Sequence, residues 1–322
     1  MPKVSVILPT YNCEQYIKAT MDSLINQTFS DFEILIVDDC STDSTVEIIK
    51  QYSDPRILLT IKEKNSGYTD SLNWAIARAN GKYIARMDGD DICHLERFEK
   101  QSEYLDTHPE IVLLGTNAQV IDSDFCFNYP SQVEPMMSTL LFGNTFVHPS
   151  VMGRAEVFKK YPYDKNREPA EDYDLWTRII NEGKVTNLPE VLLYYRVHDG
   201  QISNLKKDKQ DSSARKSMLR MFQLLSYDRK RFSEDLILNA IWPHRNIELS
   251  ELKKAITWFD SLVDDQNKFD VKLLKKALHR KRYNLFKYYA SRPSEIDAPI
   301  QLKMLFLRSF PKLATTFYIK SK

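Results

Sequence analysis

Three carboxylates stand close together at Asp88-Gly89-Asp90-Asp91, directly after an apolar run that ends at Met87. Carboxylate oxygens are hard ligands that suit Mg2+ or Mn2+, and such ions bind phosphates readily. Read alone, the run is equally an acidic loop capping a helix that starts near Leu95. A second acidic pair, Asp38-Asp39, ends another apolar run and precedes Cys40-Ser41-Thr42-Asp43. A carboxylate at a strand end accepts hydrogen bonds from a base N–H or a ribose hydroxyl. Helix capping accounts for Ser41 or Thr42 and explains the acidic pair less well. Third, Pro9-Thr10-Tyr11-Asn12 sets an aromatic ring behind a rigid turn, where it can stack on a nucleobase. By itself it is only a turn.

The elements around these residues alternate. Val4 to Leu8, Phe32 to Val37, Ile57 to Ile61 and Lys82 to Met87 read as buried strands. Glu14 to Asn26, a segment after the caps at Ser41 to Ser44, and Thr69 to Ala79 read as helices, the last ended by Asn80-Gly81. Strand and helix in alternation imply a mostly parallel sheet covered on both faces. Ligands of such sheets collect beyond the carboxyl ends of the strands, which brings all three motifs to one crevice. Further on, Arg97 to Asp106 reads as a helix and Ile111 to Ile121 as a strand with a bulge or bend at Gly115. Residues 122–150 read as irregular, Tyr173 to Asn181 as a helix and Val191 to Val197 as a strand.

The motifs taken together resemble a family 2 glycosyltransferase. The resemblance rests on Val4 to Asn12, on Ile36 to Thr45, on Asn65-Ser66-Gly67 and Asn73, and on Gly81 to Asp91, in the family's order. It spans roughly residues 3–200. It implies the GT-A fold, an α/β nucleotide-sugar-binding domain with a mostly parallel central sheet. It also implies an inverting enzyme that uses a UDP-sugar or similar donor with Mn2+ or Mg2+. By position, Pro9, Thr10, Tyr11, Asp39, Asn65 and Asp88 would bind the nucleotide, with Asp39 meeting the base. Asp90 would bind the metal directly.

Inversion in one displacement requires a base for the acceptor hydroxyl's proton, and a carboxylate can serve. Glu171-Asp172-Tyr173-Asp174 supplies candidates at a helix start, where acidic residues are also common for electrostatic reasons alone. The resemblance assigns the base to Asp172, with Glu171 and Asp174 as rivals. It also places a histidine late in the domain at the metal, which here is His198, although a lone histidine is more often a surface or satisfied residue. His148-Pro149-Ser150 resembles a segment of members that act on lipid-linked glycans. His148, Glu171 and Asp91 are therefore candidate acceptor or diphosphate contacts. Trp176 reads as core.

Charge is unevenly distributed. Of 45 Lys/Arg and 44 Asp/Glu, 14 and 3 lie from Lys268 onward. Lys272 to Lys287 and Leu302 to Phe317 interleave apolar and basic residues, as a helix at an anionic membrane surface would; a helical cap or a homodimer face fits the same pattern. No nucleic-acid motif accompanies the charge, so no nucleic-acid partner is expected. The expected organisation is a GT-A domain over 1–205, with a nucleotide-binding part at 1–95 and an acceptor and catalytic part at 96–205, then a helical basic region over 206–322. Four cysteines without C-x-x-C spacing suggest reduced thiols. With no signal peptide read at the start and no run of ~18 apolar residues, the expected location is the cytoplasm, peripheral on the inner face of the plasma membrane.

The expected activity is transfer of a sugar from a nucleotide sugar to a glycan hydroxyl, on an acceptor carried by polyprenyl diphosphate, in surface polysaccharide synthesis. A homo-oligomer is compatible with this. The rival reading is a catalytically degenerate nucleotide-sugar-binding module, against which the intact acidic residues argue. A nucleotidyltransferase would need a glycine- and lysine-rich phosphate loop near the first strand, and none is present.

Overall fold

A computed structural model describes residues 1–198, 201, 207–262, 269–296 and 305. The chain divides into two compact units, Met1–Ser217 and Met218–Lys322. The division falls inside the helix Lys207–Phe222.

The first unit opens with parallel strands β1 (Val4–Thr10), β2 (Phe32–Asp38), β3 (Ile57–Ile61) and β4 (Tyr83–Arg86). Helices α1 (Ile17–Ile25), α2 (Thr45–Ile49) and α3 (Tyr68–Arg78) connect them. Every residue of β2 is buried, as a central strand covered on both faces requires. Fully buried aliphatic side chains such as Val6, Leu8 and Ile36 each contribute roughly 1.5–3 kcal/mol on leaving water. The sheet then continues in mixed sense, in the order β3-β2-β1-β4-β8-β6-β9-β5, with β7 beside β6. Here β5 is Ile92–Cys93, β6 Ile111–Val120, β7 Cys126–Phe127, β8 Met152–Arg154 and β9 Lys184–Tyr195. Helix α4 is Arg97–Thr107, α5 Val133–Leu140, α6 Ala155–Lys160, α7 Glu171–Ile179 and α8 Lys207–Phe222.

Several expectations are corrected. Residues 122–150 are not irregular: they hold β7, α5 and a 3-10 turn at His148–Ser150. The prolines misled, because Pro135 sits in the first turn of α5, where its missing N–H costs nothing. β9 is longer than expected and runs through Pro189. The irregularities in β6 flank Gly115, at Ile111/Leu113 and at Thr116 to Ala118, rather than falling on it. Neither Ser41 nor Thr42 caps α2: the cap is Ser44, and Asp43 accepts from the Thr45 N–H at 3.0 Å. Ser41 is instead drawn to Asp38, to which its hydroxyl donates at 2.5 Å. All four cysteines are free.

Two buried polar devices hold the strands where the motifs need them. Glu33 of β2 accepts from the Ser5 hydroxyl at 2.6 Å and from the Asn80 N–H at 2.8 Å, and the Gly81 N–H donates to Ser5 Oγ at 2.8 Å. These bonds dock the turn before β4 onto β1 and β2. Arg97 is fully buried with no carboxylate hydrogen-bonded to it among the described residues; burial lowers its pKa, and carbonyls satisfy its guanidinium. It donates to Arg86 O at 2.8 Å and Val151 O at 3.2 Å, while Gln101 donates to Leu114 O and Ser150 O. The parallel and mixed halves of the sheet are thus tied together at the end of β4.

The second unit contains α9 (Glu234–Ile241), α10 (Leu249–Ser261) and α11 (Val271–Ala290). Ser233 and Asp270 cap α9 and α11 with side-chain bonds to Leu236 N and Leu273 N. Buried Asn239 donates to Tyr289 Oη, which donates to Arg245 O. The apolar and basic run at 302–317 lies, Leu305 aside, outside the described residues. No described helix is long and apolar enough to cross a membrane.

Gly81 tests the docking of β4. A Cβ there would lie 2.6 Å from Ser5 N and 2.8 Å from Val4 C, both backbone atoms that cannot swing away. Gly81→Ala is expected to destabilise the protein by about 1–3 kcal/mol, read as a lower midpoint in urea unfolding.

Candidate active site

The loops after β1 and β2 are stitched to each other. Asn12 adopts a left-handed conformation (φ 49°), tolerable for asparagine. Its N–H donates to Ser41 Oγ and its side-chain oxygen accepts from the Thr42 N–H, both at 2.9 Å. Asp38 is consumed by this framework: it accepts from the Ser41 N–H and hydroxyl and from the Thr10 hydroxyl. Asp39 turns the other way. Lys62 Nζ and the Ser66 N–H donate to Oδ1 at 3.0 Å, and the Gly67 N–H donates to Oδ2 at 2.8 Å. Burial alone would raise its pKa; these donors outweigh burial and hold the carboxyl below its ordinary range.

Beyond these loops lies a cavity of about 980 Å³. Pro9, Thr10, Tyr11, Asp39, Asn65 and Asp88, expected at the nucleotide, all line it. So do Asp90 and His198, expected at the metal, and His148, Glu171 and Asp172. Asp91 does not. It is fully buried, its carboxylate accepting from the Arg196 N–H at 2.8 Å and its carbonyl from the Thr20 hydroxyl.

The acidic run does not cap α4, whose cap is Glu96. Instead, one ligand atom from each of Asp88, Asp90 and Asp91 lies within 4.8 Å of the others. Asp91 Oδ2 is buried without a hydrogen-bond partner among the described residues. Burial, together with the charges of Asp88 and Asp90, pushes the Asp91 carboxyl well above its ordinary range. A divalent cation relieves all three conditions at once, so the donor set fits a hard metal ion. His198 Nε2 lies 3.0 Å from Asp90 Oδ2, and its ring packs against Tyr16 with centroids 5.1 Å apart. Arg86 pairs with Asp88.

The second carboxylate group stands at the start of α7. Asp172 accepts from the Tyr173 N–H at 2.6 Å and from Asn144 Nδ2 at 2.5 Å. Glu171 accepts from the Tyr68 hydroxyl at 2.7 Å. Burial raises the pKa of both acids, and the charge of Asp172 helps to push Glu171 from 4.5 up to about 8. Asp172 is the better supplied with donors, and its charge adds to burial in raising the Glu171 pKa. His148 Nε2 is 2.8 Å from the Tyr163 hydroxyl, and burial next to Arg86 holds the imidazole neutral, well below its usual pKa. Asp174, the other rival for the base, is buried and bonded to Arg178 and Ser217. Trp176 is core, packed on Phe146, Phe158 and Tyr163.

Sequence reasoning missed Arg86, Tyr68, Asn144, Glu168 and Gln210, of which all but Asn144 line the cavity. One signal was available for Arg86: strand alternation puts it on the same face as Asp88. Tyr68 and Asn144 carried none, since each reaches its acid from a distant part of the chain.

Residues 5–165 match the family described as glycosyl transferase family 2. The Escherichia coli UDP-Glc:alpha-D-GlcNAc-diphosphoundecaprenol beta-1,3-glucosyltransferase WfaP is 34% identical over 210 residues, covering 63% of this chain and 80% of WfaP. TarS 1-349 of S. aureus in complex with UDP-GlcNAc superposes with a TM-score of 0.57 at 18% identity, over 91% of this chain and 92% of that one. The mannosyltransferase PcManGT of Pyrobaculum calidifontis, in complex with GDP-Man and Mn2+, does so with 0.53 at 16% identity, over 100% and 81%. The chain belongs to glycosyl transferase family 2. It is a glycosyltransferase of GT-A-like fold with helices in its C-terminal region.

The Glu171 proton has a consequence for stability. Between pH 4.5 and about 8 the unfolded chain has lost this proton and the folded chain keeps it. Folding then takes up a proton, so stability falls as pH rises through that window. Glu171→Gln is expected to flatten the fall, as measured by thermal unfolding of both proteins at a series of pH values across it.

Proposed function

We propose that this enzyme transfers a sugar from a UDP-sugar to a hydroxyl of a glycan carried on polyprenyl diphosphate, with inversion, in the synthesis of a surface polysaccharide. The observation that carries this reading is one cavity lined at once by Asp39, by Asp88 and Asp90, and by Asp172. The names of the relatives support the donor and acceptor classes: WfaP uses UDP-Glc and a diphosphoundecaprenol acceptor.

In this reading the uridine lies against Pro9, Thr10 and Tyr11, with its base toward Asp39 and Asn65 beside it. Asp88, Asp90 and Asp91 would hold Mn2+ or Mg2+, assisted by His198, and the ion would supply charge to balance the leaving diphosphate. Asp172 accepts the acceptor hydroxyl's proton as that oxygen attacks the anomeric carbon and the bond to the diphosphate breaks. The Tyr173 N–H and Asn144 aim the carboxylate and favour its charged form. Glu171, protonated and braced by Tyr68, places a neutral carboxyl beside it. His148 belongs on the acceptor side. A degenerate binding module would have no use for this set of buried acids.

The acceptor class also suggests where the enzyme works. Helix α11 has no acidic residue among Val271 to Ala290. Lys272, Lys275, Lys276, Arg280 and Lys287 stand exposed, while Leu274, Leu278, Leu285, Phe286 and Tyr289 are buried. This face is the part of the C-terminal region that meets an anionic membrane surface, each cation contributing about 1 kcal/mol there.

Asp172→Asn keeps the shape of the side chain and removes its basicity. It is expected to lower kcat by about 10²–10⁴-fold while leaving the Kd for UDP unchanged; turnover at the wild-type rate would remove Asp172 as the base. For the membrane face, Lys272→Glu, Lys275→Glu and Lys276→Glu together are expected to abolish sedimentation with phosphatidylglycerol vesicles. Transfer to a soluble acceptor should persist.

A further inference from the structure

The cavity poses an electrostatic problem. Eight Asp and Glu residues line it, and Arg86 is the one Lys or Arg among the described residues that joins them. The diphosphate of a nucleotide sugar adds further negative charge. A cation on the acidic triad offsets part of this. The rest falls to Arg86, the one permanently charged basic side chain among the described lining residues.

The fold places that guanidinium with care. Along β4, Tyr83, Ala85 and Met87 enter the hydrophobic core, so strand alternation turns Arg86 and Asp88 to the other face. The Arg86 carbonyl is fixed from below by Arg97. Arg86 is 6% exposed, and its Nη1 pairs with Asp88. Its Nε has no hydrogen-bond partner among the described residues. A buried cationic N–H without a partner is costly, and Arg86 is a lining residue of the cavity. A mere counter-ion for Asp88 would have no need of that open donor, and Arg86 also stands close enough to Asp172, Glu171 and His148 to shift their titration.

We propose that Arg86 is a donor-binding residue whose guanidinium, while holding Asp88, donates hydrogen bonds to the anionic diphosphate of the nucleotide sugar. The assignment rests on the nucleotide-sugar reading and goes beyond it, because it makes a side chain, and not the metal alone, a contact of the leaving group. Arginine suits the role because its planar fork can serve a carboxylate on one edge and a phosphate on another.

The test is binding, with turnover as a separate readout. UDP and uridine are titrated against wild type, Arg86→Gln and Arg86→Lys at saturating Mn2+, after circular dichroism has verified that each variant is folded. Arg86→Gln is expected to weaken UDP by about ten- to hundredfold and to leave uridine unchanged. Arg86→Lys should recover part of the UDP affinity, since it restores charge without the fork. Equal UDP affinity in wild type and Arg86→Gln would overturn the proposal. So would a parallel loss for UDP and uridine, which is the mark of a structural role. Wild type that binds no UDP would overturn the nucleotide-sugar reading itself, a result distinct from either.

Discussion

Repulsion between carboxylates is the constraint around which this molecule is built. Asp39, Asp88, Asp90, Glu171 and Asp172 gather along one cavity at the edge of the sheet, where like charges crowded together repel. Each acid is therefore given a local counterweight. Asp38 is absorbed by hydroxyls, Asp39 is clasped by Lys62 and two backbone N–H groups, and Asp172 is served by a helix N-terminus and Asn144. Asp88 has Arg86. Asp91 is the exception, buried with one oxygen that has no hydrogen-bond partner among the described residues, beside Asp88 and Asp90.

Such an arrangement persists only if the backbone beneath it cannot relax. The buried Arg97 and Gln101 supply that rigidity by bonding to carbonyls at the end of β4, in β6 and in the 3-10 turn that carries His148. A charged side chain without an acidic partner is an expensive tie, and aliphatic packing would be cheaper. What it adds is direction: hydrogen bonds fix the angle between the parallel and mixed halves of the sheet, and with it the relation of the Asp88 to Asp91 run to Asp172. The site is thus held by polar groups that are themselves fully satisfied, consistent with the rule that buried networks stabilise only when complete.

Membership in glycosyl transferase family 2 defines the reaction class and leaves the substrate to the site. The later elements contribute cavity-lining side chains such as Glu168, Gln210 and His148. Few of these fall within the early motifs.

The sequence by itself determined the local structure and the chemistry on offer. Alternating apolar runs and caps located β1 to β4 and α3 to within a residue or two, because strand and helix periods are written in neighbouring side chains. The acidic motifs identified the family for the same reason. The tertiary structure decided which individual acids line the cavity and which partners each one has. His198 meets Asp90 across 108 residues of chain, and Tyr68 meets Glu171 across 103. It moved Asp91 off the cavity wall, spent Ser41 on Asp38 in place of a helix cap, and made Arg86 the lone Lys or Arg among the described lining residues. Those outcomes depend on burial and on the net field of groups distant in sequence, and neither quantity exists until the chain has folded.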